Sequence, residues 1–405
     1  MSLKFHWFLP TSGDGRAIAG RGHSIPLVGA HDTADTPGNG AAGRTNAAGR
    51  ANGAATASRP PDIEYLAQIA RSAEQLGFEA VLTPTGTWCE DAWLVTAALT
   101  RETARLKFLV AFRPGLTSPT LAAQMAATYQ RISGGRLLLN VVTGGQSEEQ
   151  RRFGDHLCHD ERYARTGEFI SVVRGAWEGE PYDFTGTYYQ VEGATVMRPP
   201  EPRPGIYFGG SSPAAGIVAA RHVDAYLTWG EPPEEVARKI AWIRGLAERE
   251  GRTLRFGIRL HVITRDSEHE AWAEAGKLLD YIEPGEIAHA QEILARSESV
   301  GQERMRALHA GYRRTGAVGD LEIYPNLWAG VGLVRGGAGT ALVGSHEQVA
   351  ERIEEYASLG IEEFILSGYP HLEEAYWFGE GALPVLRARG LAEDAASAQP
   401  LRVGA

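Results

Sequence analysis

The stretch Arg255-Phe256-Gly257-Ile258-Arg259-Leu260-His261-Val262-Ile263 sets an arginine and a histidine two residues apart. Side chains on a strand alternate between faces, so Phe256, Ile258, Leu260 and Val262 share one side and Gly257, Arg259 and His261 the other. One reading is a surface strand with a solvated polar face. The other puts the apolar side against a helix layer and aims Arg259 and His261 into the middle of the fold, as an anion-binding and proton-managing pair. Burying an unpaired charge is costly, which makes such a strand odd as a packing element alone. A further lone arginine, Arg335, lies in Gly332-Leu333-Val334-Arg335-Gly336-Gly337-Ala338-Gly339. Glycines on both sides of it suit a hinged lid that brings charge onto a bound ligand. A static phosphate-cradling loop competes with that reading, although no GxxxxGK pattern is present.

Positioning these groups takes a scaffold, and the chain alternates strand-like runs with amphipathic helices. The strand-like runs are 4–9, 80–83, 107–112, 136–142, 206–209, 225–228, 255–264 and 363–367. Between the first two, Ile63, Leu66, Ile69, Ala70, Ala73 and Leu76 recur at helical spacing and stop at Gly77. Ser118-Pro119 opens another helix, with Leu121, Met125, Thr128 and Ile132 expected on its inner side and Gly134-Gly135 at its end. Ser267 with Glu270 reads as a capping box. Parallel strands need crossover connections, so this alternation predicts a (β/α)₈ barrel. A doubly wound open sheet is the alternative, but no glycine fingerprint follows the first strand.

Three segments exceed ordinary connections. Residues 16–59 are rich in Gly, Ala, Asn and Thr and are expected to form a disordered insertion. Residues 183–191 read as a small hairpin turning at Thr185-Gly186. Residues 284–344 combine helical stretches with the Arg335 loop and are expected to form a mobile lid. The rest of residues 1–390 is read as one barrel domain, with 391–405 as a flexible tail.

Barrel chemistry sits at the C-terminal strand ends. Those ends carry Thr11-Ser12-Gly13-Asp14, Thr85-Gly86-Thr87-Trp88-Cys89, Arg113, Asn140, Thr143-Gly144-Gly145, Gly209-Gly210-Ser211-Ser212, Trp229, Arg259 with His261, and Ser367-Gly368-Tyr369-Pro370-His371. Carboxylates are few, which is wrong for a glycosidase with its two facing acids. An anionic cofactor with an anionic substrate suits the set better. Asp155-His156-Leu157-Cys158-His159-Asp160 collects metal-ligand residue types, but the usual second pair is missing, and a polar loop with a helix cap fits better. No metal is expected. Cys89 is open between a nucleophile, which needs a base within reach, and a small buried thiol near the ligand.

Of the 405 residues, 43% are hydrophobic, ample for a large core, and the formal charge of −10 argues against a general nucleic-acid or anionic-membrane surface. Two cysteines form no disulfide framework and fit a reducing compartment. No run approaches a membrane span, and residues 1–10 lead into a strand rather than a signal core, so a cytoplasmic protein is expected.

Longer runs carry a resemblance. Phe8-Leu9-Pro10-Thr11, Pro84-Thr85-Gly86 with Cys89-Glu90-Asp91-Ala92-Trp93-Leu94, Tyr207-Phe208-Gly209-Gly210-Ser211-Ser212 and Leu227-Thr228-Trp229-Gly230-Glu231-Pro232-Pro233 resemble the FMNH2-dependent alkanesulfonate monooxygenases, a branch of the bacterial-luciferase-like flavin enzymes. So do residues 256–262, 325–340 and 367–376. The resemblance spans the chain except 16–59 and the tail.

That resemblance implies a barrel that binds reduced FMN supplied by a separate NAD(P)H-dependent flavin reductase. With dioxygen it would cleave an alkanesulfonate to sulfite and an aldehyde. It implies Arg259, His261, Arg335, Tyr369 and Cys89 around the reacting flavin and sulfonate. Asn140, Glu149, Arg162, Tyr163 and Ser212 correspond to flavin contacts, with Ser211 an equal phosphate candidate. A homotetramer is typical of the family. Members often carry His at the position of Ser12, and the loop after it is normally short; both departures sit at the pocket mouth and admit a sulfone or sulfonated sugar. A deazaflavin-dependent oxidoreductase would share the barrel.

Overall fold

The structure, a computed structural model, describes residues 2–18, 59–312 and 317–393. The expected insertion at 16–59 therefore lies outside the described residues except at its two ends, and the expected tail lies outside them beyond residue 393.

Thirteen strands occur among the described residues: β1 (Lys4–Phe8), β2 (Ala80–Thr83), β3 (Lys107–Phe112), β4 (Leu137–Val141), β5 (Tyr182–Thr185), β6 (Gln190–Ala194), β7 (Ile206–Gly209), β8 (Ala225–Trp229), β9 (Arg255–Arg265), β10 (Glu322–Tyr324), β11 (Leu327–Trp328), β12 (Ala341–Ser345) and β13 (Glu363–Ser367). β1, β2, β3, β4, β7, β8, β9 and β13 pair in parallel in that order. β13 pairs back onto β1 and closes the ring. All eight expected strands are these eight, with no end shifted by more than one residue, and closure rules out the open sheet. The fold is a (β/α)₈ barrel.

Alternation places the two layers. Phe5, Trp7, Phe108, Val110, Phe256, Ile258 and Leu260 are buried in the layer between strands and helices. Inward positions carry a separate cluster of Leu82, Leu109, Tyr207, Ala225 and Ile365, with Phe8 and Leu227 at its edge. These apolar side chains plug the barrel, and the polar inward positions lie at its two ends.

Local chemistry sets the helix ends. Asp62 accepts from the Tyr65 amide to start Ile63–Leu76, and Gly77 ends it at φ 92°. Ser118 caps Pro119–Ser133 as expected. Its inner face differs from the expectation: Leu121 and Ile132 are exposed, whereas Ala122, Ala123, Ala126, Ala127 and Tyr129 are buried. Short alanines let this helix come so close that the Trp177 indole donates to the Ala123 carbonyl at 3.0 Å. The larger apolar residues are left on the far side. The hairpin near 183–191 is present as antiparallel β5 and β6, its connection tied by Glu168 to the amides of Thr187 and Tyr188.

The segment 284–344 holds more regular structure than expected. Besides helices Pro284–Leu294 and Val300–Ala307, it contains β10, β11 and most of β12. β9 is eleven residues long, and its C-terminal half pairs in parallel with β12. The polar loop at 155–160 is a helix start: the Cys158 amide donates to Glu161, and Asp155 pairs with Arg165. No helix among the described residues is long and apolar enough to cross a membrane.

Candidate active site

The C-terminal strand ends surround a cavity of about 380 Å³. Arg259, His261, Arg335, Tyr369, Asn140, Glu149, Tyr163 and Ser211 line it. Cys89, Arg162 and Ser212 are not among its lining residues.

On one wall β9 and β13 run side by side, with Ser367 paired opposite His261. Arg259 Nη1 donates to Ser367 Oγ at 2.9 Å, and its guanidinium lies 4.7 Å from the Phe8 ring centroid. Burial lowers Arg259 from its usual range to about 10, so it stays a cation at neutral pH. Ser367 Oγ in turn lies 2.7 Å from His261 Nδ1, and His261 Nε2 lies 3.0 Å from the Ala338 carbonyl. A carbonyl only accepts, so Nε2 carries the proton, and Nδ1 accepts from the serine. The order is then Arg259 to Ser367 to His261 to Ala338, a chain from barrel strand to loop.

Burial holds His261 well below its usual value, and the nearby Arg259 and Arg335 push the same way. The unfolded chain takes up a proton near pH 6.5 that the folded imidazole refuses. Stability from this group is therefore full above about pH 6.5 and falls as pH drops below it, by at most about 1.4 kcal/mol per pH unit. The wild type should lose stability between pH 7 and 5.5 more steeply than His261→Asn in chemical denaturation. Parallel slopes for the two proteins would show that His261 titrates normally.

Tyr369 stacks on His261 with centroids 5.4 Å apart, and Arg335 lies over its ring at 4.9 Å. Burial raises the phenol further above its usual value. Arg335 Nε donates to the Ile18 carbonyl at 2.9 Å, while its Nη2 is buried with no partner among the described residues. The loop bearing Arg335 is closed by a 2.8 Å bond from the Gly332 amide to the Gly339 carbonyl. A Cβ on Gly339 would meet Gly332 Cα at 2.8 Å, so those two glycines serve close approach, while Gly337 turns at φ 84°. Gln302 accepts from the Gly337 amide, and Arg304 on the same helix pairs with Glu231, which also pairs with cavity-lining Lys239.

The opposite wall comes from β3 and β4. Arg113 pairs with Glu149 at 2.6 Å, and Glu149 accepts from the Thr87 amide at 3.1 Å. A Cβ on Gly86 would come within 2.2 Å of the Trp88 indole and 2.8 Å of Glu149 Oε1, so both side chains would have to shift to admit one. Between the walls, the chain leaves β7 through Gly209-Gly210-Ser211-Ser212, and Ser212 caps helix Pro213–His222 by accepting from the Ala215 amide at 3.2 Å. A Cβ on Gly210 would lie 3.1 Å from Tyr163 Oη. Arg162 is fully buried, donating to Leu157 O and Glu298 rather than facing the cavity. Cys89 lies beside the mouth with its thiol 3.6 Å from Gly86 O, and burial pushes that thiol up to about 12. It is a neutral thiol at working pH.

Two groups at the mouth had no individual role in the sequence reading. Asp14 is wholly buried and accepts from the Tyr65 hydroxyl, the His371 amide and, at 2.9 Å, His371 Nδ1. Burial alone would raise its carboxyl, but His371 and Tyr65 outweigh that and hold it far below the usual range. Their strand-end positions were the visible signal, and the pairing across 357 residues was not.

Residues 42–363 match the family model described as luciferase-like monooxygenase. Among solved structures, a riboflavin lyase with modified FMN and riboflavin is 21% identical at a TM-score of 0.74, over 99% of this chain and 95% of that one. A long-chain alkane monooxygenase is 20% identical at 0.74, over 99% and 95%. A coenzyme F420-dependent tetrahydromethanopterin reductase from Methanopyrus kandleri is 17% identical at 0.60, over 80% and 96%. At these identities the likeness is one of fold.

Proposed function

Since the chain belongs to the luciferase-like monooxygenase family, we propose that it is the oxygenating component of a two-component system desulfonating an alkanesulfonate with reduced FMN and dioxygen. The observation that carries this reading is the cations Arg259 and Arg335 beside Tyr369, with a buried Arg335 Nη2 that has no partner among the described residues. A sulfonate is anionic at every working pH, so permanent guanidinium charges match it better than titrating groups.

The residues present fit a flavin. Gly209 and Gly210 let the chain pass close to Leu227 O and Ala215 Cβ as it enters a ten-residue helix, with Ser211 and the Tyr163 hydroxyl alongside, where backbone amides and hydroxyls would hold the phosphate. Asn140 and Glu149 stand on the wall where the ring system would lie. Bound reduced FMN supplies the two electrons that activate dioxygen. In the overall change the carbon–sulfur bond breaks, one oxygen atom ends in the aldehyde and the other in water, and bisulfite leaves.

The chain's own groups bind, orient and keep the site dry. Arg259 and Arg335 hold the sulfonate. Neutral His261, with Ser367, fixes the Arg259 fork and offers a proton route along Oγ, Nδ1 and Nε2. Tyr369 keeps its proton and is positioned to give it to the departing oxygen. The Gly332–Gly339 loop excludes water from a site where reactive oxygen would otherwise be lost.

The partners are a reductase supplying reduced FMN, the sulfonate and dioxygen, in a cytoplasmic homotetramer. The test is sulfite release from a panel of sulfonates with FMN, NADH and a flavin reductase. Sulfite should appear only when all components are present, and this chain alone should oxidise no NADH. Rapid NADH oxidation by the purified protein would overturn the two-component reading.

A second reading, deazaflavin-dependent hydride transfer, draws on the shared fold of the F420 enzyme; reduction of a deazaflavin by a substrate, with no oxygenated product from reduced FMN and dioxygen, would favour it. A sulfone or sulfonated sugar as substrate draws on Ser12, which lines the mouth, and the same panel separates these.

A further inference from the structure

His371 lines the cavity while only 3% exposed. Its imidazole lies 5.5 Å from the Phe8 ring, which also carries Arg259, and 5.1 Å from the Tyr369 ring, which also carries Arg335. The histidine thus stands next to both cations.

Asp14 fixes that imidazole. Its wholly buried carboxylate accepts from the Gly15 amide at 2.8 Å, from the His371 amide and from the Tyr65 hydroxyl, as well as from His371 Nδ1. An ionised carboxylate only accepts, so Nδ1 carries the proton and Nε2 keeps a lone pair. Nε2 has no hydrogen-bond partner among the described residues and, unlike Arg335 Nη2, is not sealed off by protein. Other lining groups near the arginines offer no such lone pair. His261 has both nitrogens bonded, to Ser367 and Ala338, and burial keeps the proton on Tyr369. Glu149 is tied to Arg113 on the opposite wall.

We propose that His371 is the catalytic base of carbon–sulfur cleavage, taking the hydroxyl proton of a 1-hydroxyalkanesulfonate, and that Asp14 is its positioning residue. This rests on the functional reading above and deepens it. Reduced FMN and dioxygen supply the preceding oxidation, which puts the hydroxyl on the carbon bearing the sulfonate. In the cleavage itself nothing further is oxidised. The oxygen–hydrogen bond breaks and its electron pair becomes the second carbon–oxygen bond of the aldehyde. The carbon–sulfur pair leaves with sulfite, and the proton passes to Nε2, where Asp14 balances the imidazolium.

The experiment follows sulfite in two reactions. One is single turnover of the best sulfonate of the panel with reduced FMN and dioxygen. The other gives the chain alone, without flavin or oxygen, the bisulfite adduct of the corresponding aldehyde, with free sulfite trapped chemically as it forms. Wild type should release sulfite from the adduct faster than buffer does. His371→Asn keeps an amide donor for Asp14 but has no base; it should bind reduced FMN as wild type does and slow both reactions roughly a hundredfold or more. Asp14→Asn can donate to Nδ1, which moves the ring proton to Nε2, and should slow both roughly tenfold or more. Added imidazole should restore sulfite release to His371→Ala, where it finds room, and not to His371→Asn. Wild-type rates in folded His371→Asn overturn the assignment, as does the absence of imidazole rescue in folded His371→Ala. An adduct that wild type cleaves no faster than buffer, alongside normal sulfite release from the sulfonate, overturns the assigned step. No sulfite from any sulfonate in the complete wild-type system would instead overturn the functional reading beneath it.

Discussion

Arg259→Ala should lower single-turnover sulfite formation about a hundredfold, even with reduced flavin saturating, because one preset cation aimed into a dry site is worth about 3 kcal/mol. The geometry supports a preset role. Arg259 stands on a barrel strand, rests on Phe8 and is held by Ser367, so ligand arrival costs it little reorganisation. Burial lowers its affinity for the proton without discharging it, so the cation is present across the working range. Removal also frees the Ser367 hydroxyl and leaves His261 without its ordered donor. Rapid quench with sulfite detection, at several sulfonate concentrations, separates the effects. A loss confined to KM would mean that Arg259 holds substrate and transition state equally, and its proposed role in the chemical step would be wrong.

Arg335→Ala should act differently, dividing product rather than abolishing it. Oxygen would still be consumed, but sulfite formed per hydrogen peroxide released should fall by roughly tenfold as water enters. Arg335 is on a loop rather than a strand, and it fastens that loop to the first residues of the segment after β1 through the Ile18 carbonyl. Ile18 is itself fully buried beside Leu333, Val334 and Tyr369. Arg335→Lys keeps the charge and should recover part of the coupling. The measurement is sulfite against peroxide in single-turnover mixing, together with limited proteolysis of the loop with and without ligands. Full coupling in Arg335→Ala, with the loop still protected by ligands, would leave Arg335 no gating role.

Much of this was legible because it is periodic. The two-residue alternation through Arg259 and His261 is enough to aim both side chains inward once a closed barrel is inferred, and the helix-capping Ser118 and Gly77 mark their boundaries locally. What escaped depends on contacts between distant segments. β12 is a short run whose strand state comes from pairing with the far half of β9, and nothing in Ala341-Leu342-Val343 shows that partner. The inner face of Pro119–Ser133 was misread for a related reason. Leu121 and Ile132 are the more apolar residues, but close packing against the barrel selects small ones such as Ala122 and Ala126. The buried pair of Arg113 with Glu149 is likewise a property of surroundings, not of sequence.

One contact at the mouth has an evolutionary consequence. Asp14 and Arg59 exchange both backbone hydrogen bonds, Asp14 N to Arg59 O at 2.9 Å and the reverse at 2.7 Å, and Arg59 also pairs with Glu373. The chain just after β1 and the chain entering the first helix are thus stitched together at this point. With both ends tied here, a change in chain length between them need not shift any strand, since loop-closure cost rises only slowly with length, by about 0.6 kcal/mol per doubling. The stitch lies beside cavity-lining Ser12 and His371. A lineage could therefore graft, trim or exchange whole recognition segments at the entrance while the reaction machinery below is inherited intact, which makes this seam the natural place for substrate range to diverge.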